Sequence, residues 1–95
     1  MDRTAFEAIL REQGYHEVFD REMAASTVNP THTHDFDAQL LILGGEMTIV
    51  RDGVPHTYRA GDSCEMPAGT LHEERVGPQG VSYIAGRRRQ AAAAN

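Results

Sequence analysis

The chain has 95 residues, of which 40% are hydrophobic and 24% charged, and its formal net charge is -5 at pH 7 with neutral histidines. This length fits one domain with a single core. An acidic chain argues against nucleic acid or an anionic membrane as a partner, since both require a basic face. The single cysteine, Cys64, excludes an internal disulfide framework. Because no apolar leader or membrane-length apolar run is present, we expect a cytoplasmic protein.

The first segment, residues 1–14, is predicted to form a short helix. Phe6, Ile9 and Leu10 recur at helical spacing, and Gly14 is placed to end the helix. A helix this short is stable only when it is docked. We therefore expect its apolar side to pack on the domain or on a partner subunit.

The middle segment, residues 15–86, alternates short apolar runs with turn signals. Turn-like sequence occupies 26–31, and pairs such as Gly44-Gly45 and Asp52-Gly53 separate the later runs. The predicted strands are 15–25, 38–43, 46–51, 54–59, 63–66, 71–76 and 81–85. Strands spaced in this way predict an all-β sandwich or barrel. The remaining residues, 87–95, are expected to be a disordered tail.

Three histidines are spaced so that they could meet. His32 and His34 are two residues apart, so in a strand their side chains point to the same face. His72 follows a turn built on Pro67 and Gly69. Three imidazoles that converge in a small β domain indicate a transition-metal site.

The same residues resemble the two sequence motifs of the cupin superfamily. The stretch from Gly61 to His72 matches G-x5-P-x-G-x2-H, and the His32-Thr-His34 stretch matches the start of H-x-H-x(3,4)-E. The matches are incomplete, because Ser26 replaces a leading glycine and Val76 replaces a closing asparagine. The resemblance implies a jelly-roll barrel, the double-stranded β-helix, with a short N-terminal helix added here.

The resemblance also implies a divalent transition metal, which could be Zn, Ni, Fe, Cu or Mn, in the barrel. Its ligands would be His32, His34, Gln39 and His72, with Gln39 at the position of the family's glutamate. A glutamine offers only a neutral carbonyl oxygen, so Gln39 could either bind the metal or form hydrogen bonds in the pocket without touching it. Asp35 or Asp37 could also supply the missing carboxylate.

Glu74 is the candidate catalytic residue. It lies two residues after His72 and shares its face in a regular strand, where it could act as a base or hold an imidazole N–H. The alternative is a solvated charge at a strand end. Cys64 is expected to pack in the core, and His56 to lie on the surface.

These features favour a metal-dependent enzyme that acts on a small molecule, of the dioxygenase or the isomerase, lyase or cyclase type. The alternative is a non-catalytic cupin that binds or senses a small molecule. The edges of a small β-sandwich need cover, and the cupin resemblance implies that the helix and the segment 15–25 pair across a two-fold axis, so we expect a homodimer. We expect no nucleic-acid or membrane partner.

Overall fold

A computed structural model describes residues 1–89 of the chain. It contains one N-terminal helix in this range, α1 (Arg3–Glu12), and an antiparallel sheet of six strands. The strands are β1 (Glu17–Met23), β2 (Val28–His32), β3 (Asp37–Arg51), β4 (Val54–Arg59), β5 (Ser63–Met66) and β6 (His72–Arg88). The predicted all-β barrel with a short N-terminal helix is confirmed.

Two long strands, β3 and β6, pair along their whole length and belong to both halves of the barrel. The first half of β3 pairs with β5 and its second half with β4. The first half of β6 pairs with β2 and its second half with β1. Each half of the barrel is therefore a four-stranded layer, and β3 and β6 connect the two layers.

Glycines in β3 and β6 allow these strands to bend. The sequence predicted turns at Gly44-Gly45 and at 77–80, but both segments remain in strands, with register shifts between Ile42 and Met47. Gly45 has φ of +71°, and a Cβ there would lie 2.0 Å from the carbonyl oxygen of Gly80. Glycine is therefore required because the two strands cross closely at this bend.

Two other boundaries differ from the sequence prediction. The turn-like segment 26–31 contributes most of β2, whose residues Val28 and Asn29 pair with β6 despite Pro30. Arg87 and Arg88 belong to β6 and pair with β3, so the predicted disordered tail begins too early. The rest of that tail, residues 90–95, lies outside the described residues.

The core consists of two apolar clusters on opposite faces of β3. The inner cluster fills the barrel and contains Leu40, Ile42, Met47, Ile49, Met66, Val76 and Val81. The outer cluster packs α1 against the sheet and contains Phe6, Leu10, Tyr15, Leu41 and Ile84. The first half of β3 is thus buried on both faces, which explains its unbroken apolar sequence.

The helix begins at a capping residue, because the Asp2 side chain accepts a hydrogen bond from the Ala5 N–H. The sequence predicted that α1 packs either on its own domain or on a partner subunit. In the structure its apolar side packs on the sheet of its own domain. No helix in the described part of the chain is long and apolar enough to cross a membrane.

Candidate metal centre

The structure brings the three predicted histidines together. His32 ends β2, His72 begins β6, and the two residues are directly paired across these strands. The ring centroid of His72 lies 4.3 Å from that of His32 and 5.2 Å from that of His34. One ring nitrogen from each of the three residues lies within 4.8 Å of the others. This arrangement is compatible with metal binding.

The turn before His72 is fixed to the segment that carries His34. The Gly69 N–H donates a hydrogen bond to the His34 carbonyl at 2.9 Å, and Gly69 has the positive φ that this turn requires. The Ala68 N–H donates to Asp37 Oδ1, also at 2.9 Å. These two bonds hold the two parts of the site together.

Asp37 therefore has a structural role rather than that of the replacement ligand that the sequence allowed. Its second oxygen accepts hydrogen bonds from Arg88 Nη2 at 2.9 Å and Nε at 3.2 Å. The Ala68 N–H, and after it Arg88, lower the pKa of the Asp37 carboxyl. Asp35, the other alternative, has a side chain that is 90% exposed and lies 3.6 Å from Arg89.

Two of the imidazoles have their tautomer set by local backbone. His32 Nδ1 lies 2.7 Å from the Pro30 carbonyl oxygen, and His72 Nδ1 lies 2.9 Å from that of Thr70. Because a carbonyl only accepts hydrogen bonds, both Nδ1 atoms carry a proton, and in the neutral imidazole each Nε2 atom keeps a free lone pair. Metal-binding histidines characteristically donate their second N–H in this way.

The third imidazole is also suited to bind a metal. Burial, and then the neighbouring His32 and His72, lower the pKa of His34, which favours the neutral form that ligands require. Two nitrogens that bind one ion at about 2.1 Å are about 3.0–3.4 Å apart in octahedral or tetrahedral geometry. The ligand nitrogens of the cluster lie within 4.8 Å of one another, so rotation of the side chains would bring them to that distance. The three histidines therefore fit a transition-metal ion.

Gln39 does not join the histidines. Its side chain is buried on the opposite face of β3, where Nε2 donates to Gln13 Oε1 at 2.7 Å, beside the end of α1. The cupin motif allows three or four residues before its glutamate, and the shorter spacing falls on Ala38. Ala38 lines the histidine cavity, so in this chain the family's carboxylate position carries no donor atom.

Glu74 shares the cavity with the histidines, as its position in the strand predicted. Glu74 Oε2 lies 3.5 Å from His72 Nε2, and its side chain is only 15% exposed. The Asn29 side chain donates to Glu74 Oε1 at 2.8 Å and so holds the carboxylate in place. Glu74 is thus not a solvated charge at a strand end.

The cavity around this site has a volume of about 350 Å³. Its apolar wall includes Phe19, Phe36, Leu40, Met66 and Tyr83, and two arginines, Arg21 and Arg87, complete it. We assigned neither arginine to the site from the sequence. The signal was the alternation along the two paired strands, which places Phe19 and Arg21 of β1 beside Tyr83 and Arg87 of β6.

The other two candidates lie outside the histidine cluster. Cys64 packs against the inner core, and burial raises the pKa of its thiol to about 11. His56 is exposed on β4, where its ring stacks on Tyr58 with the centroids 4.4 Å apart. Both positions agree with the roles that the sequence predicted.

Comparison with known proteins agrees with this fold. The model of the family described as "Cupin domain" matches residues 19–77, which is more than half of the chain. No curated protein matches the sequence.

Several solved structures share the fold at low sequence identity. A protein of unknown function from Rhizobium leguminosarum bv. viciae is 20% identical, with a TM-score of 0.72 over 77% of this chain and 69% of the other. The polyketide cyclase RemF from Streptomyces resistomycificus is 20% identical, with a TM-score of 0.65 over 81% and 61%. The cupin domain of an XRE family transcriptional regulator from Enterobacter cloacae is 14% identical, with a TM-score of 0.65 over 78% and 81%. These structures share the fold, and the family model that matches residues 19–77 shows that the chain belongs to the cupin family.

Proposed function

We propose that this cupin holds one divalent transition-metal ion through His32, His34 and His72 and acts as a metal-dependent enzyme on a small molecule. The observation that carries the proposal is the convergence of three imidazoles, two of which are oriented by backbone carbonyls. The metal would be Zn, Ni, Fe, Cu or Mn. A site of three histidines with positions left for other ligands is typical of catalytic rather than structural metal sites.

The charge of the ligand set favours one group of reactions. Ala38 stands at the position of the family's carboxylate ligand, so the three histidine ligands of the proposed site are all neutral. When bound, a divalent ion supplies Lewis acidity, or oxygen chemistry if it is iron or copper. Neutral ligands leave the full charge on the ion, which favours isomerase, lyase or cyclase chemistry over dioxygenase chemistry.

Glu74 is the group in this cavity that would move a proton. Its carboxylate is within 3.5 Å of His72 Nε2, and Asn29 fixes one of its oxygens. A substrate that binds beside the histidines with an acidic C–H or O–H group toward Glu74 would give its proton to this carboxylate. Replacement by glutamine would keep the shape and the Asn29 contact while removing the base.

The test is the metal content of the purified protein, measured by mass spectrometry, for the wild type, His72→Ala and His56→Ala. We expect about one equivalent of a transition metal in the wild type and in His56→Ala, whose histidine lies outside the cluster. We expect its loss in His72→Ala. If the wild type acquires no metal from a panel of divalent ions, the proposal is wrong.

A second candidate function is a non-catalytic cupin that binds or senses a small molecule. The cavity of about 350 Å³ would accept a small molecule without turnover, and the cupin domain of a transcriptional regulator shares this fold at 14% identity. Ligand binding without turnover, together with a protein partner recovered in a pull-down, would support this function over the enzyme.

We also propose that the protein is a homodimer. In the described part of the chain, β1 pairs on one side only, with β6, and its residue Val18 is 43% exposed. A second copy could cover this edge. Light scattering that returns the monomer mass of 10.5 kDa at micromolar concentration would exclude the dimer.

A further inference from the structure

Two arginines line the histidine cavity in a chain whose net charge is -5. Arg21 lies on β1 and Arg87 lies near the end of β6, and both side chains border the same opening as His34 and Tyr83. The Phe36 ring connects the two groups, because it stacks on the His34 ring with the centroids 4.7 Å apart and lies 4.3 Å from the Arg87 Cζ. The cavity thus has a cationic side next to the candidate metal ligands.

Phenylalanine rings hold the Arg87 guanidinium. Its Cζ lies 4.3 Å from the centroid of Phe36 and 4.6 Å from that of Phe19. Arg21 also lies over Phe19, with its Cζ 5.0 Å from the centroid. Such stacking uses the flat faces of a guanidinium and leaves the N–H groups at its edge available to an acceptor.

Neither arginine has an acidic partner among residues 1–89. Five other arginines (Arg3, Arg59, Arg75, Arg88 and Arg89) form ion pairs with carboxylates in the same range. Glu22 and Glu74 also border the cavity, but no oxygen of either lies within 4 Å of Arg21 or Arg87. Two positioned guanidinium groups are therefore free to bind an anion from outside the chain.

We propose that the cavity binds a small organic carboxylate with an apolar body, and that Arg87, assisted by Arg21, binds the carboxylate. A guanidinium matches a carboxylate with two parallel hydrogen bonds. Leu40, Met66 and Ala85 supply an apolar wall for the rest of the ligand. The volume of about 350 Å³ is near the lower limit of ligand sites, so the ligand is small.

A small carboxylate would be the substrate class of the proposed enzyme. The inference rests on the proposed function because both use the same cavity. The arginines and the histidines are nevertheless separate groups that can be tested separately. A carboxylate without a second chelating oxygen reports mainly on the arginines. Benzoate is such a probe, and benzamide has the same shape without the charge.

The experiment is calorimetric titration of benzoate and of benzamide into the wild type, Arg87→Gln, Arg21→Gln and Arg59→Gln. Arg59→Gln is the matched control, because it removes the same charge from a surface residue whose side chain is 66% exposed. We expect benzoate to bind the wild type and Arg59→Gln equally, and to bind Arg87→Gln at least about tenfold more weakly. Benzamide should bind all four proteins weakly, and higher salt should weaken only benzoate binding.

Three results would overturn the inference: equal affinity of benzoate for the wild type and Arg87→Gln, equal affinity of benzamide and benzoate, or no binding at millimolar benzoate. Circular dichroism shows whether each variant is folded, and Arg21→Gln carries the test if Arg87→Gln is not. Each titration is repeated after chelator treatment, and the metal content of every sample is measured. A protein without metal that still binds benzoate through Arg87 would retain the carboxylate site and reject the proposed metal centre. A protein that binds metal but has the same benzoate affinity with and without Arg87 would retain the metal centre and reject the carboxylate site.

Discussion

Packing of α1 on the sheet can be tested with Leu10, which is fully buried between the helix and β6. Replacing it with alanine removes buried methyl groups and leaves a cavity, which costs about 3 kcal/mol in comparable sites. In a domain of this size each kcal/mol lowers Tm by about 4–8 °C. We therefore expect Leu10→Ala to lower Tm by about 12–24 °C.

Gly86 of β6 lies directly beneath Leu10, and it allows a compensating change. A Cβ on Gly86 would lie 2.7 Å from Leu10 Cδ2 and 2.9 Å from Cδ1, which is too close. Gly86→Ala alone should thus cost about 1–3 kcal/mol through overpacking. In the double variant the conflicting methyls are absent, and the new methyl fills part of the cavity. We expect the double variant to lose less free energy of unfolding than the sum of the two single losses, by at least about 1 kcal/mol.

The assay is urea unfolding of the wild type, both single variants and the double variant, followed by circular dichroism. Glu12→Ala, an exposed change in the same helix, is the control and should have little effect. Because α1 packs on the face of β3 away from the histidines, the metal content should be the same in all five proteins. Losses that add in the double variant would refute the contact between Leu10 and Gly86.

Three further predictions concern single residues. Ala38→Glu should raise the metal affinity because Ala38 faces the histidines. Gln39→Glu should not raise it, because Gln39 forms a hydrogen bond with Gln13 on the other face of β3. Calorimetric metal titration of both variants distinguishes the two positions. Cys64, with its pKa raised to about 11 from 9.0, should react with a disulfide reagent at pH 8 about a hundredfold more slowly in the folded than in the unfolded protein. The pKa of Asp37 in the folded protein lies below its usual value of 3.8. The ionised carboxylate therefore contributes its full stabilisation above about pH 3.8, and this stabilisation is lost as the pH falls through the folded-state pKa. Urea midpoints measured below pH 4 should therefore fall more steeply for the wild type than for Asp37→Asn, and parallel curves would contradict the assignment.

Local rules together with the two cupin motifs predicted the histidine cluster. Strand alternation placed His32 and His34 on one face, and a turn with Pro67 and Gly69 brought in His72, as the structure shows. The alternation and the turn each involve only a few neighbouring residues, whereas the motifs supplied the meeting of His72 with His32 across two paired strands.

Gln39 was misplaced because the motif permits two spacings, and one residue of difference in a strand reverses the face. The choice depends on how the chain runs between His34 and Asp37, and Asp37 is fixed by Ala68 and Arg88, which lie far away in sequence. Distant contacts of this kind are not visible in a local pattern.

Long strands and the arginines were missed for related reasons. The glycine pairs in β3 and β6 were read as turns, whereas close crossing of the two strands makes them bends within continuous strands. Arg87 was assigned to a solvated tail because its partners, Phe19 and Phe36, are brought to it only by sheet pairing. Local composition therefore gave no sign of its position in the cavity.

The hydrogen bonds of His32 and His72 to carbonyls two residues earlier have a consequence for how the site could change during evolution. Each ring is oriented by its own three-residue segment, from Pro30 to His32 and from Thr70 to His72. Neither orientation depends on the side chains of the opposite cavity wall. Mutations in that wall can accordingly alter which molecules fit while the arrangement of the histidines is inherited unchanged, so one histidine cluster can serve many specificities.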